Sequence, residues 1–116
     1  MKTMTLSAAT CGVIATFAVG FVLSVPNAIA AGPDAATSAL LAKYSCTACH
    51  TPDKKLVGPS YQEIAAKYAG DKTAAAKLEQ KVKNGGSGVW GAIPMPPNDV
   101  PDADLKTMVA GILATK

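Results

Sequence analysis

Apolar and polar residues fall into one long apolar opening and four later stretches that repeat near the helical period. Lys2 is the only charged residue before Asp34, and the run from Ala8 to Val25 contains none. Beyond that run, Asp34 can cap a helix reaching Tyr44 or Ser45, with Ala36, Leu40 and Tyr44 four residues apart on one face. Ser60 followed by Glu63 is a capping-box signature, opening a helix to about Ala69 with Gly70 as its stop. A third helix is predicted from about Thr73 to Asn84, with Leu78 and Val82 on one stripe and Gly85 ending it. The last begins near Pro101 or Asp102. There Asp104 suits the positive end of the helix dipole, and Leu105, Val109, Ile112 and Leu113 form the apolar face. No stretch after the apolar opening alternates convincingly at the period of a strand. The expected class is all-α.

The opening run has a different purpose. Pro26 interrupts it, and Ala28-Ile29-Ala30 supplies the small-x-small pattern that signal peptidase requires. A short positive start, an apolar stretch and such a site read as a secretory signal peptide, residues 1–30, cleaved after Ala30. The run is just long enough for an uncleaved membrane anchor, but its small, Thr- and Ser-dotted composition favours removal. Cys11 precedes most of the apolar stretch, unlike a lipid-acylated cysteine, and leaves with the signal. Residues 31–116 are then one exported domain, expected in the periplasm as a monomer without stable membrane insertion. It has no internal repeat and no low-complexity linker.

Charge excludes one class of partner. Without Lys2, ten lysines face eight acidic residues, and the chain has no arginine. The lysines are dispersed, where a phosphate-binding groove would cluster fork-shaped donors. No nucleic acid is expected. Composition also makes the core thin, since only Tyr44, Tyr61, Tyr68 and Trp90 carry large rings after residue 30. A domain so poor in aromatics gains much from a metal or cofactor.

The chemistry sits in Cys46-Thr47-Ala48-Cys49-His50, which gathers the only histidine and both cysteines left after cleavage. This C-x-x-C-H is the attachment pattern of c-type haem. Two thiols a turn apart can each add across one vinyl group, and the next residue then offers its imidazole to the iron. The competitors explain less. A structural zinc needs four ligands, and only three such donors are present. A thioredoxin-like dithiol would follow a strand in a βαβ unit, which is missing. A plain disulfide is normal after export, but it closes too short a loop to stabilise much and leaves His50 unexplained.

The second axial position points to Met95. It lies in AIPMPPN, within the glycine- and proline-rich loop from Gly85 to Pro101, a stiff segment of the kind that is usually functional. Met108, in the last helix, reads as core filler. With His50 and Met95 both bound, a haem iron would be closed to oxygen, peroxide or substrate, and the expected role is electron carriage, not catalysis.

Taken together, these segments resemble the small bacterial monohaem class I cytochromes c of the cytochrome c-551 type. The matching stretches are CTACH, KLVGPSYQEIAAKYAG, KVKNGGSGVWGAIPMPPN and the closing helix, nearly all of residues 31–116 in order. The resemblance implies a compact all-α cytochrome c fold of four to five short helices wrapped around one covalent haem. It implies thioether attachment at Cys46 and Cys49, and axial ligation by His50 and Met95. It suggests that the Pro59 carbonyl accepts a hydrogen bond from His50, that Asn98 bonds toward the Met95 sulfur, and that the Trp90 ring nitrogen meets a haem propionate. Plainer readings stand beside these: Pro59 as turn punctuation, Asn98 as the start of a turn, Trp90 as core. Two positions depart from the family pattern. Lys81 stands where arginine is common, and Gly111 where an aromatic ring is common. Gly111 costs roughly 1 kcal/mol relative to alanine but permits close helix contact. Lys43, Lys54, Lys55 and Lys83 are candidates for a positive surface around the haem edge, steering an acidic partner.

The function so implied is a periplasmic shuttle of single electrons. Its redox partners would be membrane complexes such as the cytochrome bc complex on one side, and a nitrite reductase or terminal oxidase on the other. The alternatives are a haem-based sensor or peroxidase-like enzyme with an open iron site, and a haem-free disulfide domain.

Overall fold

The computed structural model describes residues 32–116. The expected signal peptide, its cleavage point and Cys11 lie outside the described residues. Four helices follow in order, α1 (Ala35–Lys43), α2 (Tyr61–Lys67), α3 (Ala74–Asn84) and α4 (Asp102–Leu113), with a single 3-10 turn at Cys46–Ala48 between the first two. No strand forms among the described residues. Two isolated antiparallel bridges, His50 with Lys55 and Gly86 with Met95, tie the loops.

The helices begin where local chemistry satisfies their first N–H groups. Asp34 accepts from the Thr37 backbone N–H at 2.9 Å. Ser60 and Glu63 form the full reciprocal capping box at α2. At α3 the work is done by Asp71, two residues before the cap. Its carbonyl accepts from the Ala74 N–H at 3.1 Å, and its side chain accepts from the Thr73 N–H at 2.8 Å and from Lys77 at 2.8 Å. Gly85, at φ 66°, ends α3, and Gly70, at φ 79°, lies in the turn after α2. Helix α2 is two residues shorter than its apolar pattern suggests.

Packing is centred on α4. Among the described residues, α1, α2 and α3 each contact α4 but not one another. Leu105, Met108, Val109 and Ile112 of α4 are buried against Leu41 of α1, Tyr61 and Ile64 of α2, and Val100. Met108 is thus core, as read from sequence. The other faces of the outer helices look onto a central cavity, described below, instead of onto each other.

The inward face of α1 differs from the apolar pattern. Thr37 and Leu41 are buried, at 1% and 2% exposure, while Ala36 is exposed and Leu40 and Tyr44 only flank the core. The reason is the crossing with α4. A Cβ at Gly111 would overlap the Thr37 side chain, so the helices meet at that pair without one. The Thr37 hydroxyl tolerates burial because it donates to Asp34 at 3.0 Å.

Candidate haem site

The chain leaves α1 through Ser45, which takes the left-handed region at φ 58°. This aims the 3-10 turn inward, and both the Cys49 and His50 N–H groups donate to the Cys46 carbonyl at 3.1 and 3.0 Å. The segment then doubles back. Gly58 N–H donates to the Cys49 carbonyl at 2.9 Å and Tyr61 N–H to the Thr51 carbonyl at 3.0 Å. That return places the Pro59 carbonyl 2.7 Å from His50 Nδ1. A carbonyl only accepts, so Nδ1 carries the proton and Nε2 keeps a lone pair for a metal.

The His50 ring is confined on two sides. Tyr61 stacks beside it, with centroids 5.9 Å apart and planes 25° apart. A side chain on Gly58 would overlap the ring. Cys46 and Cys49 are free thiols, each partly buried, and burial pushes the Cys46 thiol above its ordinary range.

Met95 comes from a separate wall. Its backbone is bridged to Gly86, N–H to carbonyl in both directions, at 3.0 and 2.9 Å. Gly85 has no room for a Cβ, which would run into the Met95 carbonyl and the Pro96–Pro97 backbone. The Asn98 N–H donates to the Val82 carbonyl at 2.8 Å, pinning the loop to the end of α3. The Asn98 side-chain amide donates to the Pro96 carbonyl at 2.9 Å, a turn-forming bond.

Cys46, Cys49, His50, Pro59, Trp90, Met95 and Asn98 all border one cavity of about 350 Å³, backed by Leu105 and Val109. Lys81 lines it too, its Nζ beside Gly86, and Lys67 sits 5.0 Å above the Trp90 ring. Two of the four lysines expected to form a positive surface are otherwise engaged. Lys43 pairs with Asp104 at 3.0 Å, and Lys83 pairs with Asp102. Sequence reasoning did not foresee Gly58 and Gly85 as space-making residues for the two nominated ligands. Their signals were present as VGPS and the glycine after α3, but only tertiary contact shows what each avoids.

The cavity fits haem c on its own features. Two thiols, an imidazole with a free Nε2 and a thioether share one largely apolar chamber, and glycines keep backbone clear of the ring. The Tyr61 hydroxyl, buried without a partner among the described residues, also borders this chamber. No group of three or more His, Cys, Asp or Glu side chains is gathered for a bare metal ion among the described residues.

An all-α domain that folds three helices onto a fourth around such a chamber is a covalent haem carrier. The chain belongs to the cytochrome c family, whose profile, described as cytochrome c, matches residues 35–116. It is similar to cytochrome c-551 of Pseudomonas aeruginosa, 52% identical over 71 residues, 61% of this chain and 68% of that protein. It is similar also to cytochrome c-551 of Azotobacter vinelandii, at 55% over 71 residues, 61% of this chain and 87% of that one. The crystal structure of wild-type Nitrosomonas europaea cytochrome c552 superposes with a TM-score of 0.66 at 51% identity, over 68% of this chain and 99% of that chain. The chain is accordingly of the small class I, c-551 type, with the all-α cytochrome c fold, covalently bound haem c and iron, and electron transfer as its business.

Proposed function

We propose that the chain is a periplasmic one-electron carrier, exported by residues 1–30 and cleaved after Ala30. In this reading Cys46 and Cys49 hold the haem through thioether bonds, and His50 Nε2 and the Met95 sulfur are the axial ligands. When bound, the haem would supply one reversible electron at iron. His50 and Met95, by taking both axial positions, leave none for oxygen, peroxide or substrate. A thioether is a weak donor that favours the ferrous state and raises the potential. The Pro59 carbonyl holds the His50 ring in one orientation and one tautomer. Trp90 and Lys81, both lining the cavity, would be the donors toward a haem propionate, and Asn98 stiffens the turn that carries Met95.

The observation that best supports this reading is that Met95, flanked by prolines and bridged to Gly86, borders the same cavity as His50. The partners that suit it are a membrane complex such as the cytochrome bc complex as donor, and a nitrite reductase or terminal oxidase as acceptor. Lys54 and Lys55, both exposed, remain to steer an acidic partner toward the cavity mouth.

The optical spectrum of the purified ferric protein tests the ligation. A weak charge-transfer band at the red end, with no binding of added cyanide or imidazole at modest concentration, is expected. An open-iron sensor or peroxidase-like protein would lack the band and take up the ligand. Amino-terminal sequencing of the periplasmic fraction, expected to start at Ala31, tests the export.

A further inference from the structure

The capping box of α2 and the histidine hydrogen bond share one peptide group. Glu63 Oε2 accepts from the Ser60 N–H at 2.7 Å, and the Pro59 carbonyl accepts from His50 Nδ1–H at 2.7 Å. The Ser60 N–H and the Pro59 C=O are the two ends of the same amide. The chain carboxylate–amide–imidazole is therefore continuous, with one planar, conjugated unit in the middle.

We propose that Glu63 is a positioning and tuning residue for His50, its negative charge relayed through the Pro59–Ser60 peptide to the imidazole. An anionic acceptor on an amide N–H pushes electron density toward the carbonyl oxygen, and bonds in such a chain strengthen one another. A more negative carbonyl draws harder on the Nδ1 proton, which makes Nε2 a stronger donor. The setting favours the effect. Ser60 is 0% exposed and Pro59 is buried, so water does not screen the amide. The Ser60–Glu63 bond is at the short end of N–H···O contacts, as expected where the acceptor carries charge, and the neutral His50–Pro59 bond is as short. The second bond of the box, from the Glu63 N–H to Ser60 Oγ at 3.1 Å, fixes the carboxylate over that amide. A stronger donor stabilises ferric iron, so Glu63 lowers the potential that the thioether raises.

The inference rests on His50 being the iron ligand, and the experiment separates the two. Holoprotein is prepared as wild type, Glu63→Gln and Glu63→Ala. The His50 Nδ1–H resonance is read by NMR in the reduced state, and the reduced-to-oxidised ratio is read at fixed ambient potential. Glutamine can still close a capping box, so it removes charge while keeping the helix start. Glu63→Gln is expected to leave thermal stability near wild type, shift Nδ1–H upfield, and raise the reduced-to-oxidised ratio several-fold. Glu63→Ala is expected to move both readouts the same way. It should also speed exchange of the Nδ1 proton with solvent roughly fivefold, the factor equivalent to ~1 kcal/mol of lost capping. A wild-type Nδ1–H resonance in Glu63→Gln overturns the proposal, whether or not the ratio moves, because the charge then acts through space or not at all. Failure of the underlying ligation would show earlier, as wild-type His50 ring protons lacking the upfield shift of a ligand held over a porphyrin.

Discussion

The segment that offers His50 and the segment that offers Met95 face the same cavity but are held by different means. From Cys46 to Ser60 the chain is knitted by backbone hydrogen bonds, and the imidazole itself is bonded, stacked and backed. From Gly85 to Val100 the chain has three prolines that cannot donate, and glycines at 85, 86, 88 and 91 with positive φ. Val89 and Ile93 on this side are 46% and 66% exposed. The first wall is ordered by bonds made in the folded state. The second has backbone bonds as well, between Gly86 and Met95 and from Asn98 to Val82. It adds proline torsions preset before folding, which offset the extra entropy its glycines lose. A hard, orientation-sensitive nitrogen donor suits the first device, and a thioether with a polarizable sulfur suits the second.

Substitutions can break this contrast in graded ways. Met95→Ala removes the donor outright. The haem is expected to stay attached through Cys46 and Cys49 while the potential falls sharply and the iron accepts added imidazole. An unchanged potential with no ligand uptake would rule out Met95 as ligand. Next come the two glycines. Gly85→Ala meets rigid backbone and an unfavourable φ together, for a loss of about 3 kcal/mol or more by denaturant titration. Gly58→Ala meets the His50 ring instead of backbone, for roughly 1–3 kcal/mol, and because it displaces the imidazole it should shift the spectrum more per unit of stability lost. Equal spectral effects from the two would erase the distinction.

Acid should sharpen it. Lys77, and then Thr73, hold Asp71 at about 2 against an ordinary value of 3.8, and Lys83 holds Asp102 below its ordinary value. Both bracket α3 and its following loop. A carboxylate depressed in the folded state adds stability that is complete above its unfolded value and vanishes as pH falls through the folded one. Between about pH 4 and about pH 2 the methionine-dependent red band is expected to fade before the His50 signals change, and Asp71→Asn should flatten this part of the profile. Fading of both signals together would contradict separate support for the walls. The smallest effect belongs to Asn98→Ala. Loss of the bond to Pro96 at an only partly buried site costs ~0.5–1 kcal/mol, read as faster exchange of the Met95 amide with the Val82 tether intact.

Much of this was legible beforehand because the signals were local. The Asp34 cap, the Ser60–Glu63 box, the stop at Gly85 and the C-x-x-C-H each depend on residues a few positions apart. What escaped depended on residues far apart. The inward face of α1 turned out to centre on Thr37, a polar residue that apolar periodicity ignores, because Gly111 opens space for it on another helix. Lys43 and Lys83 looked available until the fold brought Asp104 and Asp102 beside them. Gly58 had no role in the sequence reading, and only the imidazole packed against it supplies one. The Asn98 bond to Pro96 agrees with the plainer turn reading given beside the resemblance.

The arrangement of helices also carries a consequence in time. Because α1, α2 and α3 each lean on α4 and not on one another, the helix that comes latest among the described residues is the one the three earlier helices wait for. Until it emerges, the nascent polypeptide has no scaffold on which to settle. Under the proposed export, that delay would leave Cys46 and Cys49 reachable for haem attachment and the chain slack enough to cross a membrane.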